Sequence, residues 1–236
     1  MDGSTELGSV LKAVLFDFDN TLVDSARVLP LAQRRVAAEV AGFLGVDFDG
    51  ALEAVRRVEA VLEKQGVYDR DRMWMHVLRE LGFNGVVEER LLRSWTLAYW
   101  EEYAKGEVFP EAPQVLRALG NRYSLGLVTN TDGLDGMKRF RLERKGLKGF
   151  FKVVVVAGED VPEVKPSPRP FLHAAELMGA RPAECVMVGD DPVNDVSGAK
   201  AAGMRAVLLD RSGGKPVVLK PDHVVSTLSS LLTLFP

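Results

Sequence analysis

Asp17 and Asp19 stand two residues apart at the end of the apolar run Ala13–Phe16. Two carboxylates so placed suit a hard cation held through oxygen, together with nucleophilic or proton-transfer chemistry. The run Ala-Val-Leu-Phe reads as a strand buried on both faces in a parallel sheet. Burying a carboxylate further along that strand is costly, so the strand ends at Asp17 and delivers both acids to a cleft. A plainer reading also fits, a strand end with Asp19-Asn20-Thr21 in an Asx-type turn.

The elements that must position these acids follow from periodicity. Strand-like runs recur at Val10–Phe18, Ser124–Thr129, Val153–Ala157, Cys185–Val188, Ala206–Leu209 and His223–Val225. Segments of helical length, such as Pro168–Met178 and Val193–Ala202, separate the later ones. Strands alternating with helices predict a parallel sheet built from right-handed crossovers. Roughly a hundred residues after the first strand break this rhythm. There Leu31–Phe43, Ala51–Lys64, Arg70–Leu81 and Val86–Tyr103 carry helical spacing, punctuated by Gly45, Gly66 and Gly82. The expected organisation is a core domain of residues 1–23 and 106–236 with an inserted four-helix domain of 24–105. The first eight residues and Ser212–Pro216 read as disorder-prone.

Ligands in open parallel sheets bind beyond the carboxyl ends of the strands, so each strand's last residues are the candidates. The second strand ends in Thr129 and Asn130. The third is followed by Lys165, immediately before a proline. The fourth ends in Gly189-Asp190-Asp191, with Asn194 and Asp195 just beyond. Taken singly, Thr129 reads equally as a strand end, Lys165 as a solvated lysine, and Asp190-Asp191 as a helix cap. Taken together they put several carboxylates, one hydroxyl and one ammonium at a single sheet edge. Carboxylates converging without a cation repel one another; Mg²⁺, with its preference for oxygen ligands, relieves that.

Composition narrows the field. Hydrophobic residues make up 47% and charged residues 27% of 236, with net charge -3. This is the balance of a soluble globular protein and argues against a nucleic-acid partner. The lone Cys185 gives no intramolecular disulfide and no thiolate cluster. No long apolar run marks a membrane span and the start is polar, so a cytoplasmic setting is expected. Oligomeric state is not legible.

The ordered motifs Asp17-Phe-Asp19-Asn-Thr21, Thr129-Asn130, Lys165-Pro166 and Gly189-Asp190-Asp191-Pro-Val-Asn194-Asp195 resemble those of the haloacid dehalogenase superfamily, in its phosphatase branch. The resemblance covers residues 10–22 and 108–232, and the insertion is similar to that family's helical cap. It implies an α/β fold: a Rossmann-like doubly wound parallel sheet with an inserted four-helix cap. It also implies a Mg²⁺-dependent phosphatase acting on a small phosphorylated metabolite. In that pattern Asp17 is the nucleophile that forms an aspartyl phosphate, and Asp19 is the acid/base. Thr129 and Lys165 contact the phosphoryl group, with Asn130 beside them. The metal takes Asp17, the Asp19 main-chain carbonyl and Asp190, with Asp195, Asp191 and Asn194 in the surrounding shell. Asp19 favours phosphate transfer over dehalogenation, since a departing halide needs no proton. A phosphomutase, or a phospho-accepting regulatory module without turnover, are the alternatives. Among cap residues, Tyr68, Arg72 and His76 are the candidates to contact the leaving group. Lys215 after Gly213-Gly214 lacks the spacing of a nucleotide-binding loop and reads as part of a flexible turn.

Overall fold

The computed structural model describes residues 11–236. Val10 and the expected disorder of the first eight residues lie outside the described residues. The chain divides into two compact units, one of residues up to 23, 108–131 and 138–236, the other of 24–107 and 132–137.

The helical unit contains α1 (Leu29–Leu44), α2 (Phe48–Lys64), α3 (Arg70–Glu80) and α4 (Glu89–Tyr103). Gly45 stops α1 at φ 67°, its N–H bonding the Ala41 carbonyl at 2.9 Å. Asp47 and Asp69 cap α2 and α3 by accepting from Gly50 N at 2.7 Å and Arg72 N at 3.1 Å. The apolar faces close on Val36, Val55, Trp74, Val77, Trp95 and Tyr99. Two opposite charges enter this core together: buried Glu59 accepts from Gln33 (2.6 Å), buried Arg70 (2.6 Å) and Tyr99 (2.7 Å). That satisfies a carboxylate which burial would otherwise penalise. Most of the cap aromatics are therefore core. Tyr68 and His76 are half-buried and Arg72 is exposed. Residues 132–137 pack here too. A Cβ on Gly133 would stand only 1.7 Å from the Tyr68 carbonyl oxygen, so only glycine fits.

The other unit carries the six-stranded parallel sheet expected from the sequence. Its strands are β1 (Ala13–Phe16), β2 (Ser124–Asn130), β3 (Val153–Ala157), β4 (Cys185–Gly189), β5 (Arg205–Leu209) and β6 (His223–Val225), in the order 3-2-1-4-5-6. That is the order of a doubly wound sheet, and it reverses direction between β1 and β4. Phe16 lies level with Leu127 of β2 and Val188 of β4, so Asp17 emerges at the reversal with β2 and β4 on either side. Alternation sorts the β1 side chains. Val14 and Phe16 pack with Leu116 and Leu119 of α5 (Ala112–Gly120), while Ala13 and Leu15 pack with Phe171 and Ala174.

Two helices here depart from the sequence pattern. In α6 (Met137–Arg144) just one buried apolar residue, Leu142, marks the inner face, because its other buried positions are Lys138 and Arg141. After α7 (Arg169–Met178), the helix expected over Val193–Ala202 is split. A π-type turn spans Pro192–Ser197 and only α8 (Gly198–Ala201) is α-helical. The Asp191 carbonyl takes the N–H groups of both Asp195 (3.0 Å) and Val196 (3.2 Å), which widens the turn. The expected flexibility of Ser212–Pro216 is also corrected. The buried Asp210 carboxylate accepts from Gly213 N (2.9 Å), Lys215 N (2.9 Å) and Ser212 Oγ (3.3 Å), tying this turn down.

Candidate functional site

The site is built on one lysine. Lys165 is 4% exposed, and its ammonium donates to Asp17 Oδ1 at 2.7 Å, Asp195 Oδ1 at 2.6 Å and the Val128 carbonyl at 3.1 Å. Burial disfavours the ammonium, but Asp17 and Asp195 outweigh it and raise the Lys165 pKa above the usual lysine range. Asn130 holds the backbone of this lysine, its amide oxygen accepting from Lys165 N at 2.8 Å. Thr129 is buried on β2 next to it. The Lys165–Pro166 peptide is cis.

Carboxylates outnumber this one cation. Oxygen atoms of Asp17, Asp190 and Asp195 all lie within 4.8 Å of one another. Burial first, and then Asp17, push the Asp190 pKa up to about 6 against the pull of Lys215. Burial and the neighbouring carboxylates likewise push Asp195 upward, against Lys165. Three carboxylates gathered at a strand mouth, two of them with raised proton affinity (Asp190 and Asp195), are an oxygen donor set short of positive charge, which fits a hard divalent cation.

Asp19 has a different environment. Lys138 Nζ meets Asp19 Oδ2 at 2.5 Å and Arg141 Nη2 meets Oδ1 at 2.5 Å. Burial works to raise its pKa, yet Arg141 and Lys138 overcome that and hold the carboxyl well below the ordinary range. Neither partner was found from the sequence. The only available signal was cationic residues on a helix with little apolar periodicity. Asn20 makes the turn after Asp19 with φ 58°, a left-handed conformation that asparagine tolerates better than most residues.

The residues after β4 divide between two tasks. Asp191 faces its own turn: Oδ1 accepts from Val193 N (2.7 Å) and Asn194 N (3.0 Å), and Oδ2 from Asn194 Nδ2 (2.9 Å). It is a cap, and Asn194 completes it. Asp195 instead turns inward to Lys165 and also accepts from Asp191 N at 3.0 Å. Gly189 makes room for it, because a Cβ there would fall 2.1 Å from Asp195 Oδ2. Gly189→Ala is therefore expected to displace Asp195 from Lys165 and lower stability by about 1–3 kcal/mol, read from a denaturant titration. An unchanged midpoint would mean that Asp195 moves at no cost.

A doubly wound α/β unit with acids and a lysine at its reversal point defines a class, proteins whose ligands bind at the strand mouth of an open parallel sheet. The chain belongs to the haloacid dehalogenase-like hydrolase family, whose model matches residues 11–203. It is 30% identical to rat (Rattus norvegicus) N-acylneuraminate-9-phosphatase, over 96% of this chain and 94% of that one. Among solved structures it is similar to a HAD phosphatase from Thermococcus onnurineus, with TM-score 0.70 and 31% identity over 95% and 97% of the two chains. It is also similar to a 2-haloacid dehalogenase from Pseudomonas syringae, with TM-score 0.72 and 26% identity over 95% and 97%. Among the described residues no helix is long and apolar enough to cross a membrane.

Proposed function

We propose that this hydrolase is a Mg²⁺-dependent phosphatase that cleaves a small phosphorylated metabolite in the cytoplasm through an aspartyl phosphate on Asp17. The observation that carries this reading is the Lys165 fork. It fixes Asp17 by one carboxylate oxygen at the sheet's reversal point, within reach of Asp190 and Asp195. Asp17, Asp190 and the Asp19 carbonyl are the groups proposed to hold the metal, with Asp195 behind them. When bound, the metal neutralises charge on the transferring phosphoryl group.

A carboxylate oxygen of Asp17 attacks phosphorus, and the bond from phosphorus to the ester oxygen breaks. The departing alkoxide takes a proton from Asp19. Water then attacks phosphorus, its proton passes to Asp19, and the bond to Asp17 breaks to release inorganic phosphate. Lys165 and Thr129 stabilise the phosphoryl oxygens, and Asn130 keeps Lys165 in place. The two-step route replaces one slow displacement by two easier ones.

Arg141 and Lys138 favour the ionised form of Asp19, so it donates a proton only when those contacts loosen. Arg141→Met leaves burial less opposed, and the Asp19 pKa rises. Because Asp19 must carry a proton to protonate the leaving alkoxide, the alkaline limb of kcat/KM moves up by about 1–3 pH units in the variant, measured with an alkyl phosphate at saturating Mg²⁺. An unmoved limb would separate Asp19 from the rate-determining proton transfer.

Asp19 also separates this reading from dehalogenation, where the leaving halide needs no proton. The general test is phosphate release from p-nitrophenyl phosphate and a panel of sugar, glycolate and nucleotide phosphates, with Mg²⁺ and with EDTA. Metal-dependent release into solution supports the reading. Phosphate reappearing elsewhere on the substrate indicates a mutase, and a persistent phosphoprotein without turnover indicates a switch.

A further inference from the structure

Lys215 takes no part in the chemistry above, yet it reaches one of its central groups. Its ammonium donates to the Asp190 main-chain carbonyl at 2.6 Å and to Asp190 Oδ2 at 2.9 Å. The lysine is delivered on purpose-built backbone. Asp210, at the end of β5, anchors its own N–H on the Val225 carbonyl (2.8 Å) and turns its carboxylate onto Gly213 N, Ser212 Oγ and Lys215 N. Every part of this arrangement lies in the sheet unit. The other cations at the strand mouth have different partners: Lys165 bridges Asp17 and Asp195, while Lys138 and Arg141 hold Asp19.

We propose that Lys215 is a tethered cation that competes with the divalent metal for Asp190 and so sets the protein's metal affinity. The inference rests on the reading that Asp190 is a metal ligand. An ammonium on Asp190 Oδ2 and a metal ion on the same carboxylate draw on one negative charge, and each weakens the other by the same factor. Bound metal drives Lys215 off Asp190, and the Gly213–Lys215 turn loosens. Removing the ammonium removes the competitor.

The test is calorimetric binding of Mg²⁺ and Mn²⁺ to the full-length protein, for wild type, Lys215→Met, Lys215→Arg and Asp210→Asn. Methionine keeps the side chain's length without its charge, arginine keeps the charge, and asparagine at 210 loosens the turn that delivers it. Lys215→Met is expected to bind metal about tenfold more tightly. Lys215→Arg should remain near wild type, and Asp210→Asn should fall between. In wild type, hydrogen exchange at Gly213 and Lys215 should speed up when Mg²⁺ is added. Equal or weaker metal binding by Lys215→Met would overturn the proposal. If wild type and variants alike bind neither ion, the metal reading of Asp190 fails first.

Discussion

Asp17→Asn is expected to cut phosphate release by about 10⁴-fold or more at saturating Mg²⁺, with the fold intact. The substitution is nearly isosteric, and the amide oxygen still accepts from Lys165 Nζ, which meets Asp17 Oδ1 at 2.7 Å. What disappears is the anionic oxygen that attacks phosphorus. Stability should hold or rise, because one of three mutually repelling carboxylates within 4.8 Å is neutralised. Active sites commonly gain stability when a functional charge is removed. Steady-state release with p-nitrophenyl phosphate, alongside a denaturation midpoint, checks both halves. A rate within tenfold of wild type would mean that water attacks the ester directly and Asp17 serves only the metal.

The second large effect is expected from Lys165→Met. The side chain of Lys165 is 3% exposed and those of Asp17 and Asp195 are 10% and 1% exposed. Deleting the ammonium strands two buried carboxylates. Breaking a buried ion pair from one side costs about 3–5 kcal/mol, and losing a fixed charge on the phosphoryl group costs about 10²–10³-fold in kcat. The stability loss has a definite pH dependence. With Lys165 gone, nothing offsets the burial and neighbouring charge that already raise Asp195, so its folded pKa stands above the unfolded one. The folded variant then binds more protons than the unfolded chain, and its deficit narrows as the pH falls. Urea titrations of both proteins at about pH 5 and pH 8 measure this. A deficit independent of pH would assign the loss to packing rather than to stranded charge.

What the sequence revealed depended on how strongly each element was patterned. The buried strands β1 to β5 are short, largely apolar runs, so Asp17, Thr129 and Asp190 could be picked out by reading each strand to its end, and Lys165 in the loop that follows β3. The four helices of the inserted unit announced themselves through apolar spacing and glycine stops. Helix α6 did not, because the face it buries is built from Lys138 and Arg141 around Leu142. A cationic face reads as a solvated one until its partner, Asp19, is known to lie against it. Lys215 was missed for a related reason. Its turn contains two glycines and a proline and resembles a flexible loop, but Asp210 orders it through a single carboxylate. Asp191 was equally open to two roles from sequence. Its bonds to Val193, Asn194 and the Asn194 side chain give it to the turn. Residues 132–137 pack with the helices although they follow β2 in the chain. That placement depends on a close approach at Gly133, which no periodicity reports.

The central claim is that Asp17 itself becomes phosphorylated. Rapid acid quench of the protein mixed with excess p-nitrophenyl phosphate and Mg²⁺, followed by borohydride reduction, converts an acyl phosphate to an alcohol at the modified residue. Peptide mass spectrometry should then find homoserine at position 17 in wild type, and none without substrate or in Asp17→Asn. Turnover with no homoserine at 17, or with the label on Asp19 or Asp190, would contradict the account.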